Sequence, residues 1–105
     1  MDDTARTRRL TRARQLWADA ESAHAGSRLD EAFTLLTAAH DRVTDIAAEH
    51  REAHRRLLPI DRALGRTRDV FVDRLLLFLA PVGSFQLLAI YFRWFEDYSR
   101  FEETA

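Results

Sequence analysis

The sequence predicts an all-α fold: an antiparallel helical hairpin with a coiled-coil-like seam, followed by two apolar C-terminal helices. The pair either completes a four-helix arrangement or forms a membrane-associated segment. Three observations carry this. Apolar residues recur at alternating steps of three and four through the first half of the chain. No stretch alternates apolar and polar residues in the manner of a strand. The 3 glycines and 2 prolines punctuate long uninterrupted runs.

Residues 4–25 form the first predicted helix. Leu10, Ala13, Trp17, Ala20 and His24 give its inward stripe, and Asp2, Asp3 and Thr4 supply N-terminal capping chemistry. Gly26 is placed to end it, as the residue that takes a left-handed conformation without a Cβ clash. Residues 29–57 read as one long helix. Leu29, Ala32, Leu36, Ala39, Val43, Ile46, His50, Ala53 and Leu57 keep the seam pattern throughout. The short turn between the two helices implies that they pack antiparallel. Within this pair, Ala20, Ala32, Leu36 and Ala39 resemble the small and large packing positions of a single tetratricopeptide repeat. The resemblance covers about a third of the chain and has no second copy to stack on, so it implies small-residue hairpin packing rather than a repeat array.

Pro59 predicts a boundary or a sharp kink, since it lacks an N–H and disfavours helical geometry at Leu58. A third helix follows over residues 60–80, weakened at Gly65 with a restart at Thr67. Pro81-Val82-Gly83-Ser84 is the next break, with Ser84 as cap of a fourth helix over residues 84–103. Phe95, Tyr98 and Phe101 form its late stripe, opposite Glu96, Asp97, Glu102 and Glu103. The chain thus divides into an Arg-rich hairpin, 1–58, and an apolar segment, 59–105, within one domain of 105 residues.

Composition narrows the chemistry. The net charge is −1, and all 16 basic residues are arginine. With no lysine there is no Schiff base or tuned ammonium. With no cysteine there is no disulfide, thiolate nucleophile or thiolate metal site. Too few glycines are present for a phosphate-cradling loop, and no serine sits in a nucleophile elbow. MDDTARTRRL has no apolar core behind its charges, so it does not read as a secretory signal. The expectation is a protein that is not an enzyme and carries no cofactor.

Histidine is the one ligand type in supply, as His24, His40, His50 and His54. His50 and His54 lie one helical turn apart and could meet a single metal. Their spacing fits no zinc-protease motif and supplies no third ligand. The sequence therefore reads both as structural or solvent-facing, with His50 fixing register as a polar residue in the seam. Carboxylates such as Asp41, Asp45, Glu49 and Glu52 sit among arginines at helical spacing, as in surface ion pairs.

Two surfaces are expected to bind. Residues 75–92 carry no charge. Leu75, Leu76, Leu77, Phe78, Leu79, Phe85, Leu87, Leu88, Ile90, Tyr91, Phe92, Trp94 and Phe95 form the candidate partner or membrane interface. The aromatics near its end resemble an interfacial belt. Arg6, Arg8, Arg9, Arg12, Arg14, Arg51, Arg55 and Arg56 form a candidate basic pole for an anionic surface, gathered by antiparallel packing. Nucleic acid is disfavoured, since no aromatics interleave the basic run. The flanking charges favour a membrane-associated chain with its N-terminus cytoplasmic. The function expected is a small non-catalytic subunit presenting a helical hairpin to a larger complex. The alternative is a cytoplasmic four-helix adaptor that self-associates or docks a partner protein through residues 75–95.

Overall fold

The computed structural model describes residues 3–101 and is all-helical, with no strand among them. Five helices run in order: α1 (Asp3–Ala25), α2 (Leu29–Arg42), α3 (Ala47–Ala63), α4 (Thr67–Leu79) and α5 (Ser84–Phe95). Single 3-10 turns occupy Ala80–Val82 and Tyr98–Phe101. Asp2, Glu102 and Glu103 lie outside the described residues.

The core joins α1, α2 and α3. Ala13, Leu16, Trp17, Ala20 and Ala23 of α1 meet Ala32, Leu36 and Ala39 of α2, Val43, and Ala53, Leu57 and Ile60 of α3. Its many alanines let the helix backbones approach closely. The α1 stripe is rotated slightly from expectation, because Leu16 and Ala23 are buried while His24 is exposed. The α1 helix ends in a left-handed residue, but that residue is Ser27 (φ 61°), not Gly26. The Arg28 N–H donates to the Ala23 carbonyl at 2.8 Å, closing the cap.

The largest departure is the break in the long helix. The chain leaves helical geometry at Val43 and re-enters at Ala47, so residues 29–57 form two helices and not one. The physical cause is local. Val43, Thr44 and Ile46 are β-branched, and Asp45 is a weak helix former. Asp45 is drawn into the interior, where Arg9 Nη1 and Nη2 donate to its two oxygens at 2.8 and 3.1 Å. The Arg9 guanidinium also lies 3.9 Å from the centre of the Tyr98 ring, and Thr44 hydrogen-bonds the Tyr98 hydroxyl.

Pro59 does not end a helix. It sits inside α3 on an exposed face, where the Arg55 carbonyl it leaves unpaired can be hydrated. The α3 helix ends instead at Gly65 (φ 70°), with the Arg66 N–H donating to the Asp61 carbonyl at 2.9 Å. The predicted helix over 60–80 is therefore the last turn of α3 plus α4. The predicted helix over 84–103 stops at Phe95, and Tyr98 turns back onto α1. Ser84 is not a cap: its hydroxyl donates to the Leu76 carbonyl at 3.1 Å and ties α5 to α4.

Both α4 and α5 pack against α3 and touch each other little. The molecule measures 37 × 37 × 17 Å, about two helices deep. A slab this thin covers one side of α4 and α5 and leaves the other outside.

Candidate functional site: a histidine cluster beneath an apolar elbow

Reversal of the chain at 43–46 brings the end of α2 onto the start of α3. His40, on the last turn of α2, thereby meets His50 and His54 on α3. The three ring centroids lie 4.8, 4.8 and 5.0 Å apart. The Nε2 of His50 is 3.1 Å from the Nε2 of His40 and 3.2 Å from that of His54. His50 and His54 are buried and His40 is half-buried.

Carboxylates orient the two outer rings. His54 Nδ1 donates to Asp73 Oδ1 at 2.7 Å, and His40 Nδ1 donates to Asp41 Oδ1 at 3.0 Å. A carboxylate only accepts, so both rings carry a proton on Nδ1, and in its neutral form each offers a lone pair at Nε2. His50 Nδ1 is buried without a partner. Its ring packs edge-on against Phe85 and Phe92 of α5, at 5.0 and 5.9 Å. Burial, helped by His40 and His54, lowers His50 to about 3. Burial and then His40 lower His54 to about 4. Both rings are therefore neutral near pH 7.

Asp61 stands beside Asp73. Burial first, then the hydrogen bond with Asp73, raises it to about 7. Asp61 is thus the member of the pair that keeps a proton near neutrality, leaving Asp73 to accept from His54. A cleft of about 240 Å³ reaches this cluster from solvent, with His40, His54, Asp41, Asp61, Arg66 and Asp73 on its walls.

On the far side of α4 and α5 the surface is apolar. Phe78, Val82, Leu87, Trp94 and Phe95 are each more than two-thirds exposed, at 80%, 78%, 69%, 78% and 75%. Leu75, Ile90 and Tyr91 join them, as does Phe71, which lies outside the expected set; Val72 is also exposed but lines the histidine cleft instead. Not every expected interface residue faces out: Phe85 is buried against the histidines, and Leu76, Leu77, Leu79, Leu88 and Phe92 are half-buried. Among the described residues no single helix is long and apolar enough to cross a membrane; Thr67–Val82 and Ser84–Phe95 pass that test only as a pair bent by 103°.

The expected basic pole is dispersed. Arg9 is buried on Asp45, and Arg6 Nε lies 3.4 Å from the same carboxylate. Arg55 and Arg56 pair with Glu52. Because α3 runs back along the bundle, Arg56 reaches Glu21 and stacks 4.8 Å from Trp17, toward the C-terminal half of α1 and away from Arg6–Arg14. Arg8, Arg14 and Arg51 remain on the surface, and Arg12 is half-buried. The expectation rested on one continuous helix, and the break removes it.

No family model, curated protein or solved structure matches this chain.

Proposed function

We propose that this chain is an attachment module that rests the outer face of α4 and α5 in the interfacial layer of an anionic membrane and holds the α1–α3 bundle at that surface for a partner. The observation that carries the reading is the outward apolar face itself. Isolated apolar side chains on a surface need no explanation, but a contiguous patch of this kind marks a contact.

The charge on this face supports a lipid occupant. Between residues 70 and 95 the charged residues are Asp73, Arg74 and Arg93; Asp73 is buried, and both arginines are exposed. The exposed charge on these two helices between residues 70 and 95 is therefore positive, with Arg93 Nη2 reaching back to the Asp45 carbonyl at 3.5 Å. Trp94 and Tyr91 suit the headgroup layer, where an apolar ring body meets a polar tip. The bend between α4 and α5 favours a chain lying on the surface over one crossing it. The anionic cytoplasmic leaflet is the surface this charge fits. A second reading, a cytoplasmic adaptor that pairs with another copy or a partner protein, uses the same exposed residues.

Flotation with vesicles separates the two. Wild-type protein should float with phosphatidylserine-containing vesicles and less with neutral ones. Leu87→Glu with Trp94→Glu should abolish flotation, since both side chains are exposed and their loss leaves the core intact. Arg74→Gln with Arg93→Gln should remove the preference for anionic lipid. Protein that ignores both vesicle types, yet scatters light as a multiple of 12.2 kDa until Leu87→Glu is introduced, supports the second reading and rejects the first.

A further inference from the structure

We propose that His40, His50 and His54 bind one divalent transition-metal ion, of the class that favours imidazole nitrogen, through their convergent Nε2 atoms. This goes beyond the attachment reading and does not depend on it.

In the neutral form that binds a metal, the three imidazoles carry three ring protons. Two of them lie on Nδ1 atoms directed at Asp73 and Asp41. The third belongs to His50. If it sits on Nδ1, it is buried without an acceptor, and three Nε2 lone pairs face one another across 3.1 and 3.2 Å. If it sits on Nε2, it can point at His40 or His54 but not squarely at both, and the other contact stays lone pair against lone pair. In water such a mismatch is trivial; in an interior it costs a hydrogen bond's worth of desolvation. One cation satisfies all three lone pairs at once, and one proton does not.

The distances suit that cation. An ion with metal–nitrogen bonds of about 2.0–2.1 Å in a tetrahedral shell places its ligand atoms roughly 3.3 Å apart. Two of the three separations are already near this value. One ligand atom from each ring lies within 4.8 Å of the others. The widest side of the triangle therefore closes on an ion by at most about 1.5 Å. His40 ends α2 and is half-buried, so it can supply that movement.

The surroundings are those of a ligand set. A histidine that binds metal through one nitrogen usually donates its other N–H to a carboxylate or carbonyl, which fixes the tautomer. His54 and His40 both do so. His50 is the exception and is held by ring packing against Phe85 and Phe92. Three elements contribute: α2 gives His40, α3 gives His50 and His54, and α4 gives the orienting Asp73. The cleft reaches His40 and His54 from solvent and so gives an ion a way to the cluster. With nitrogen ligands and no thiolate, zinc, cobalt, nickel and copper suit the site, and magnesium and calcium do not.

The test uses the intact chain, stripped with a chelator and titrated with Co²⁺ and then Zn²⁺ in the absence of vesicles. One Co²⁺ per chain should bind with the intense visible absorption of a four-coordinate ion, and Zn²⁺ should bleach it. His40→Ala or His54→Ala should abolish the band, and His24→Ala, an exposed position outside the cluster, should not. Asp73→Asn and Asp41→Asn should keep the band while weakening affinity about 10–100-fold. Far-UV circular dichroism run alongside identifies any variant that fails to fold. Asp41 is only half-buried, so its variant keeps the test informative if the others do not fold. No band in the folded wild type, or a band indifferent to folded His40→Ala and His54→Ala, overturns the proposal. Because no lipid is present, failure here leaves the attachment reading standing, and failure to float leaves the metal site standing.

Discussion

The α1–α3 bundle and the α4–α5 pair are built from helices of similar kind but face opposite ways. Every exposed large apolar side chain among the described residues lies at Phe71 or beyond. The bundle turns its apolar stripes inward and pairs its buried charge. The pair turns one face to α3 and the other to the outside. The difference originates in the sequence. In α1–α3 each apolar position has a charged one across the helix, so one buried stripe is enough. Residues 75–92 have no charge to place on the second face. Packing then has no way to satisfy both faces in a slab two helices deep. One half of the molecule closes its apolar side chains into a core, and the other leaves a row of them exposed.

The sharpest way to break the comparison is to strike each half at a side chain of comparable prominence. Asp45 is completely enclosed, holds Arg9 in two hydrogen bonds and sits under the reversal that makes α2 and α3 separate helices. Asp45→Ala leaves the buried Arg9 guanidinium without its counter-charge, with only the Arg42 carbonyl and the Tyr98 ring beside it, at a cost of about 3–5 kcal/mol. Leu87→Ser on the outer face should change stability by no more than about 0.5 kcal/mol. Urea denaturation of both proteins measures this. Similar losses in the two would show that α4 and α5 belong to the same cooperative core.

A smaller effect is read along the pH axis in metal-free protein. His50 and His54 have folded values near 3 and 4, below the ordinary 6.5. A lowered base stabilises the fold when neutral; its contribution is full above 6.5 and is lost as pH falls through the window below it. Each contributes a slope of up to about 1.4 kcal/mol per pH unit there. Asp61 acts in the opposite sense. Its value is raised from 3.8 to about 7, so it favours the fold when protonated and loses that contribution as pH rises between those values. Asp61 lines the solvent-open cleft, so screening reduces its share. Two histidines against one screened carboxyl leave a net loss of stability on acidification from 6.5 toward 4. Asp61→Asn should steepen that loss and His50→Leu should flatten it. A profile unchanged by either variant would mean that the cluster is not buried as described.

These variants also show what could be read in advance. Helical periodicity identified the buried face of α2 and α3 almost position by position: Ala32, Leu36, Ala39, Val43, His50, Ala53 and Leu57 are all buried. It could not show the reversal, because both helices bury the same numbered seam whether or not the chain turns between them. The signal was present in Val43-Thr44-Asp45-Ile46, three β-branched residues and an aspartate. Missing it hid the site. On a continuous helix His40 and His50 stand about 15 Å apart, and in the fold their Nε2 atoms are 3.1 Å apart. The same error assembled a basic pole that the fold disperses. Pro59 misled in the opposite direction, since an exposed proline late in a well-packed helix gives up one solvent-side hydrogen bond without breaking it. What covers the outer face of α4 and α5 is not part of their own sequence pattern, which shows only that the face has no charge of its own between residues 75 and 92.

The smallest effect tests how the bundle begins, at the turn between α1 and α2. Ser27 holds a left-handed conformation at φ 61°, while Gly26 does not. For a residue with a Cβ, that conformation costs roughly 1–2 kcal/mol relative to a glycine. Ser27→Gly removes this strain but adds freedom to the unfolded chain, which returns roughly half of the gain. The net should be a stabilisation of about 0.5–1 kcal/mol, or a few degrees in Tm for a domain of this size. Gly26→Ala should be close to neutral. Its new Cβ would meet the end of the Arg28 side chain at 2.4 Å, a flexible group whose exposed pairing with Glu31 contributes little. The Ser22 carbonyl, at 3.6 Å, is an ordinary contact. If Gly26 were the left-handed residue, as its position in the sequence suggests, the pattern would invert: Gly26→Ala would cost about 1 kcal/mol and Ser27→Gly would gain nothing. Thermal melts of the two single variants decide between these outcomes. Vesicle flotation should be the same for both, because the turn between α1 and α2 lies away from the outer face of α4 and α5.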